Sequence, residues 1–412
     1  MATCCEHSEH DPEAKSVAEA MEIILAASPP IRDQIAIPLE EGLGRVLAAS
    51  VQAPMDVPAW PNSAMDGYAL RAGDGDGPRK CVGSVFAGHP YLAPVTEGQC
   101  VRIMTGAVLP EGADTVIPQE LANREGSQVR FHGEILSGAN VRQPGEDLPM
   151  GNTALPGGTL LRPAHLGVLA SLGISEIAVF RPLRVAFFST GDELQPAGQP
   201  LGPGQIYDSN RLILQSMLRR LGTETVDLGC ICDDPDRIRE TLEKAGQMAD
   251  MVITTGGVSV GDADHIASLL GQMGSVYLWK MNMKPGRPLA FGHLGQASFF
   301  GLPGNPVSTM VTFYQFVRPA ILRRMGTLGP WTPPVFRLPL AAPLRKKPGR
   351  TDFQRGRLIA GENGWMVAPA GAQSSHILTG MAQAECFIVL PAESGSLPPG
   401  SLVDVQILEG LV

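Results

Sequence analysis

The chain has 412 residues, too many for one ordinary hydrophobic core, and a scale of about 100 to 200 residues per domain implies two to four. An apolar fraction of 44% with 18% charged residues excludes wholesale disorder, and 41 acidic against 32 basic residues argue against a nucleic-acid binder, which needs a basic face. No stretch approaches the ~18 uninterrupted apolar residues of a membrane span, so no membrane partner is expected, while 48 Gly and 36 Pro predict many turns between short strands.

Residues 1–11 are polar and acidic, lack a secretory signal, and read as a disordered tail. Cys4, Cys5, His7 and His10 crowd too closely there for an ordered zinc site, and the seven scattered cysteines, with no Cys-x-x-Cys pair, fit a reduced, cytoplasmic setting. Val17, Met21, Ile24 and Leu25 recur at helical spacing over 16–27, and Pro29-Pro30 stops the pattern. After the proline-rich stretch 54–61, β-favouring runs at 82–86, 100–104 and 129–131 predict a small all-β domain over 64–150. A helix is expected from Pro163 to Leu172 with Gly173 as its C-cap. Strand and helix then alternate: strand 185–188, helix 211–221 behind a Ser209-Asn210 cap, strand 226–230, helix 235–247, strand 250–254 and helix 263–270. Such alternation predicts a mostly parallel sheet with helices on both faces. A longer helix over 306–324, kinked at Pro319, precedes a separate β domain from Pro330 to Val412.

In an open parallel sheet, ligands lie outside the carboxyl ends of the strands, and three predicted strand ends carry chemistry. The first runs into Ser189-Thr190-Gly191-Asp192-Glu193-Leu194, the second into Asp233-Asp234-Pro235, and the third into Thr255-Gly256-Gly257-Val258-Ser259-Val260-Gly261-Asp262-Ala263-Asp264. Gly256, Gly257 and Gly261 let backbone N–H groups approach phosphate oxygens, although a Gly-Gly turn also serves tight packing. Glu193, Asp233, Asp234, Asp262 and Asp264 would repel a bare phosphate, and they suit one only with a hard cation such as Mg²⁺ between. Helix capping is the alternative for any single one, Asp234 and Asp262 above all. Lys280, Lys284, Pro285, Gly286, Arg287 and Pro288 form a stiff basic turn, either an anion pocket or a solvated loop. The rigid loop Gly301-Leu302-Pro303-Gly304-Asn305-Pro306 offers shape and backbone N–H groups.

Taken in order, these segments resemble the MoeA-type molybdopterin molybdenumtransferase family, which includes the C-terminal domain of gephyrin. The resemblance covers nearly the whole chain, and its carriers are Pro61-Asn62-Ser63-Ala64-Met65-Asp66-Gly67-Tyr68-Ala69, Arg102-Ile103-Met104-Thr105-Gly106-Ala107, Gly145-Glu146-Asp147, the 189–194 and 256–264 segments, Lys284-Pro285-Gly286-Arg287-Pro288 and Leu302-Pro303-Gly304-Asn305-Pro306. It implies insertion of molybdate into adenylylated molybdopterin with release of AMP. By the same resemblance, Asp66, Thr105, Asp147, Glu193, Asp233, Asp264, Pro303 and Pro306 are functional positions, with Glu193, Asp233 and Asp264 about a Mg²⁺ ion. The cofactor-binding set it implies adds Gly256, Gly257, Ser259, Gly261 and Lys280, with Lys284, Arg287, Pro288, Arg355 and Ser374 or Ser375 around molybdate. It further implies a multidomain α/β plus β fold: a discontinuous helical and extended linker domain (12–52 and 148–180), a small inserted β domain (53–147), a three-layer α/β/α domain (181–328) and a C-terminal β domain (329–412). A cytoplasmic homodimer with its active site between subunits is implied too, as are a molybdopterin adenylyltransferase and molybdoenzyme apoproteins as partners. Two positions depart from the family pattern: Arg287, where many members have Lys, and His265, where an aromatic is common. Two rivals stand beside this reading, adenylyl transfer from ATP to molybdopterin and a scaffold without turnover.

Overall fold

The computed structural model describes residues 13–257, 269 and 275–408. The tail 1–11, nearly all of the helix expected over 263–270, and Ser259, Gly261 and Asp264 lie outside the described residues. The chain divides into two compact units, one of Met1–Ile35, Gly44–Ala48 and Val179–Val412, the other of Ala36–Leu43 and Ala49–Ala178.

The first unit is built on a six-stranded sheet in the order Glu224–Ile231, Arg184–Thr190, Met251–Thr255, Ala297–Leu302, Pro288–Leu294, Ser275–Lys280. Its first four strands are parallel, as the alternation predicts; Pro288–Leu294 runs against them, and the edge strand Ser275–Lys280 pairs antiparallel with it. The switch has a local cause. Only two residues, Gly295 and Gln296, join Pro288–Leu294 to Ala297–Leu302, and so short a link makes a hairpin and cannot cross over, with Gly295 supplying φ 59°. The apolar strands are buried on both faces: Ala186, Phe188, Val252 and Phe299 pack on Ile238, Leu242 and Ala245 of helix Pro235–Met248, while Val185, Phe187, Ile253 and Phe300 are buried as their alternates.

Helix Ser209–Arg220 starts two residues earlier than expected because Asp208, and not Ser209 or Asn210, is its cap, with the Asp208 carboxylate accepting the Arg211 N–H at 3.1 Å. The helix expected over 306–324 is present as Pro306–Thr312 and Arg318–Arg324 with a π-helical turn, Phe313–Val317, between them. Pro319 has no N–H to return to Gln315, and the Arg318 N–H bonds to Phe313, five residues back, so the irregularity falls one turn before the proline.

Residues 335–407 carry their own core, with Leu340, Leu344, Val367, Ile388, Leu390, Val403 and Val405 enclosed by strands Val335–Pro339, Thr351–Gly361, Gly364–Pro369, Cys386–Leu390 and Leu402–Ile407. A sixth strand, Met283–Lys284, comes from the basic turn and pairs in parallel with Thr351 and Asp352. Gln315 also donates to Gln406 at 2.8 Å, and Tyr314 meets Phe387 edge-on, so this β region and the α/β sheet share one compact unit.

At the opposite end of the parallel strands, Arg181 donates to both Asp250 oxygens at 2.7 and 2.8 Å and to Asp33 at 2.9 Å. Burial works against the Asp250 charge, but the Arg181 hydrogen bonds and the Arg184 N–H outweigh it and hold this carboxyl below the ordinary aspartate range. A depressed folded pKa contributes stability above the unfolded value, about 3.9, which is lost as pH falls through the folded value. Asp250→Asn is therefore expected to lower unfolding free energy at pH 7 by about 2 to 4 kcal/mol and to flatten its decline below about pH 4, as read by urea denaturation across pH.

In the second unit, the short runs form a six-stranded sheet in the order Thr115–Pro118, Gly67–Leu70, Gln99–Ile103, Arg79–Val85, Gln128–Phe131, Ala122–Glu125. Its two faces bury Ala69, Val101 and Val116 on one side and Leu70, Cys100 and Val129 on the other. Helix Pro163–Ser171 begins with its proline, as expected, but its C-cap is Leu172, with Gly173 at φ 73° one residue further on.

Candidate active site

The parallel strand ends meet at one rim. The Gly191 N–H donates to Ile231, the Gly256 N–H to Leu302, and the Asp233 N–H to the Asp192 carboxylate, at 3.3, 3.2 and 3.1 Å. Gly256 has φ 85°, and a Cβ there would lie 2.7 Å from the Thr190 carbonyl oxygen, so glycine alone allows these two loops to touch through their backbones. Gly304 in turn lies beside Gly256. The segments 191–193, 232–234, 256–257 and 303–304 thus share one edge, with a pocket of about 470 Å³ alongside, lined by Asp192, Leu194, Asp208, Arg211, Cys230 and Cys232.

The rim carries negative charge. The Cys230 thiol is pushed up to about 11, first by burial, then by Asp208, partly offset by Arg211, and further by Glu193 and Asp233. Asp234 takes the capping role, accepting the Arg237 N–H at 2.9 Å, and Asp233 stands one residue outside that helix. Among the described residues no three His, Cys, Asp or Glu side chains converge into a metal site, and Asp264 lies outside them.

On the basic turn, Lys280 and Pro288 are register partners, Lys284 pairs with Asp352, and Lys284 and Arg287 are exposed. Gly286 has φ 98°, and a Cβ there would lie 2.6 Å from Thr312 Oγ1, so the turn is pressed against the helix that follows Pro306. Gly286→Ala is expected to cost about 1 to 3 kcal/mol of unfolding free energy, measurable by denaturant titration.

Three residues after Asp352, Arg355 is fully buried. Its Nη2 donates to the carbonyls of Ala372 and Ser374, while Nε and Nη1 have no hydrogen-bond partner among the described residues. Burial alone lowers its pKa. Ser374 Oγ lies 2.9 Å from His376 Nδ1, and Ser375 follows in sequence, so it is the Ser374 carbonyl that ties this turn to Arg355. Pro303 is buried, its carbonyl accepting from Thr309 Oγ1 at 2.6 Å, and Pro306 opens helix Pro306–Thr312.

In the second unit, Asp66 Oδ1 accepts both the N–H and the hydroxyl of Thr105 at 2.7 Å. Those two bonds hold the exposed carboxyl below the usual aspartate range. Asp147 lies on a loop tied to the same region: its N–H donates to Val57, and the Gly145 N–H donates to Pro58, both at 3.0 Å. The structure therefore joins Asp66 to Thr105 directly, while Asp147 is tied to the stretch at Val57 and Pro58. Asn210, Asp192 and Thr309, which hold rim loops through side-chain bonds, were not recognised from the sequence as site residues; their partners lie 94, 41 and 4 or 6 residues away.

Fold and rim define a multidomain protein of mixed α/β and β content whose α/β body gathers its strand-end loops at one edge. Three family profiles match in succession: "MoeA N-terminal region (domain I and II)" over 15–173, "Probable molybdopterin binding domain" over 186–323, and "MoeA C-terminal region (domain IV)" over 337–408. The molybdopterin molybdenumtransferase of Haemophilus influenzae is 42% identical over 89% of this chain and 92% of its own, and that of a Nostoc species 35% identical over 96% and 93%. The crystal structure of a molybdopterin biosynthesis moeA protein from Pyrococcus horikoshii superposes with a TM-score of 0.83 at 28% identity, covering 96% of this chain and all of that one. The chain belongs to the molybdopterin molybdenumtransferase family.

Proposed function

We propose that this transferase of molybdenum cofactor biosynthesis inserts molybdate into adenylylated molybdopterin and releases AMP. Family membership supports the reaction class, and the observation that carries the substrate reading is Arg355: a buried guanidinium with two unpaired nitrogen atoms suits a compact oxyanion. Lys284, Arg287, Ser374 and Ser375, with Pro288 shaping the turn, complete the molybdate set, and Arg287 keeps the charge of the more common lysine while presenting a planar fork. Gly256, Gly257, Pro303 and Pro306 line the rim for the phosphate anhydride, with Lys280 at the end of the edge strand Ser275–Lys280.

Mg²⁺ fits the donors present. Glu193 and Asp233 are exposed hard-oxygen ligands at one rim, and Mg²⁺ characteristically takes one or two carboxylates with waters and substrate phosphates. Together with Asp264 they would hold the ion, whose contribution is charge neutralisation along the anhydride. The chain's own groups do the remaining work: the glycine loop positions the phosphates, the basic turn and Arg355 orient the molybdate, and Asp66, fixed and ionised by Thr105, is placed to orient or deprotonate a reacting group. We further propose a cytoplasmic homodimer in which Asp66, Thr105 and Asp147 of one subunit complete the rim of the other. A molybdopterin adenylyltransferase would supply the substrate and molybdoenzyme apoproteins would receive the product. The domain boundaries implied by the resemblance belong to this reading. The test is to supply adenylylated molybdopterin, molybdate and Mg²⁺ and follow AMP: release that needs molybdate and stops with a chelator supports it. Wild-type protein that releases no AMP, or that forms pyrophosphate from ATP and molybdopterin, overturns it.

A further inference from the structure

We infer that Asn210 is a positioning residue for the loop 303–306, fixing its peptide planes so that their N–H sides face the rim. This rests on the reading of that rim as the anhydride site. Asn210 Nδ2 donates to the Gly304 carbonyl at 2.7 Å, across 94 residues of sequence. Thr309 Oγ1 lies 2.6 Å from the Pro303 carbonyl oxygen and 3.1 Å from that of Asn305, which also accepts the Thr309 N–H at 2.9 Å. Three successive carbonyls are therefore engaged, by Asn210 on one helix and Thr309 on another. In a trans peptide the carbonyl and the following N–H point in opposite directions, and the peptide bonds within 303–305 are trans. Engaging the carbonyls of Pro303 and Gly304 thus turns the N–H groups of Gly304 and Asn305 the other way, on two exposed residues of which Gly304 lies beside Gly256.

Asn210 is suited to this because capping does not consume it. Asp208 caps helix Ser209–Arg220, and Asn210 Oδ1 is buried without a partner among the described residues, so within them the Gly304 contact orients the amide. Facing a carbonyl oxygen, that amide must present its NH₂ side. The helix beneath is held to strand Glu224–Ile231 by Arg211, which bonds Asp227 at 3.1 Å. The loop therefore takes its orientation from a capped helix of 12 residues.

Two variants test the clasp. Asn210→Asp keeps the size but sets an oxygen against the Gly304 carbonyl, and Asn210→Ala removes the donor. In AMP-release kinetics with adenylylated molybdopterin, the Asp variant is expected to raise KM by about 10- to 100-fold and the Ala variant by about 10-fold, with kcat within about threefold of wild type. Hydrogen exchange of the free protein, read on peptides spanning 301–310, is expected to quicken by about 10-fold or more in both, with the rest of the sheet unchanged. Unchanged exchange in 301–310 overturns the inference, and so does an unchanged KM in an active preparation. A fall in kcat and active fraction together, with KM constant, marks a merely structural residue and overturns it as well. Absence of AMP release by the wild type would count against the functional reading instead, and the exchange arm alone would then decide on the clasp.

Discussion

Arg355→Met is expected to lower molybdate-dependent AMP release by about 10²- to 10³-fold while changing unfolding free energy by less than about 2 kcal/mol. The two halves of this result come from one feature. A structural arginine would have its donors occupied, and its loss would leave buried acceptors without partners. Arg355 is fully buried, yet among the described residues two of its three guanidine nitrogens lack an acceptor, so its desolvation is incompletely offset. Methionine matches much of its volume without a charge, and replacements of that kind are often neutral or stabilising. The carbonyls of Ala372 and Ser374 lose a donor, which limits any gain. An oxyanion would fill the open donors, so binding should suffer where folding does not. Molybdate titration of the rate and a thermal melt check both halves; a variant with normal molybdate dependence, or one that unfolds several kcal/mol more easily, contradicts this role.

The second large effect is expected at Asp66. Asp66→Asn removes an ionised carboxylate already oriented by two bonds from Thr105, and positioned groups of this kind contribute about 10²- to 10⁴-fold. The residue is exposed, so thermal stability should stay near wild type. Because Thr105 holds the pKa down, the acid limb of the rate should lie below the ordinary aspartate value near 4, and Thr105→Val should move that limb upward. On the proposed dimer, mixing Asp66→Asn with Arg355→Met subunits should restore about a quarter of wild-type activity, since half the dimers regain one intact site. Failure to complement after subunit exchange argues that each subunit works alone.

Much of the fold was legible because the apolar runs have clear periods. The runs at 185–188, 226–230 and 250–254 each became a parallel strand, and the three strand ends form one rim as Gly, Asp and Thr spacing suggested. Features that depend on distant partners were not legible. Strand Met283–Lys284 is two residues long and exists only because residues 351–352 lie alongside it. Ser209 and Asn210 look like caps, but the cap is Asp208, a choice made by backbone geometry. Arg355 has no local signal in a β run; family resemblance singled it out, and only burial reveals that its donors are unfilled.

The central claim is most directly tested by a single-turnover measurement with enzyme in excess over adenylylated molybdopterin, counting AMP released against molybdenum bound to the pterin product. One AMP per molybdenum inserted is the predicted result. AMP released without molybdenum incorporation, or molybdenum incorporated without AMP, would contradict it.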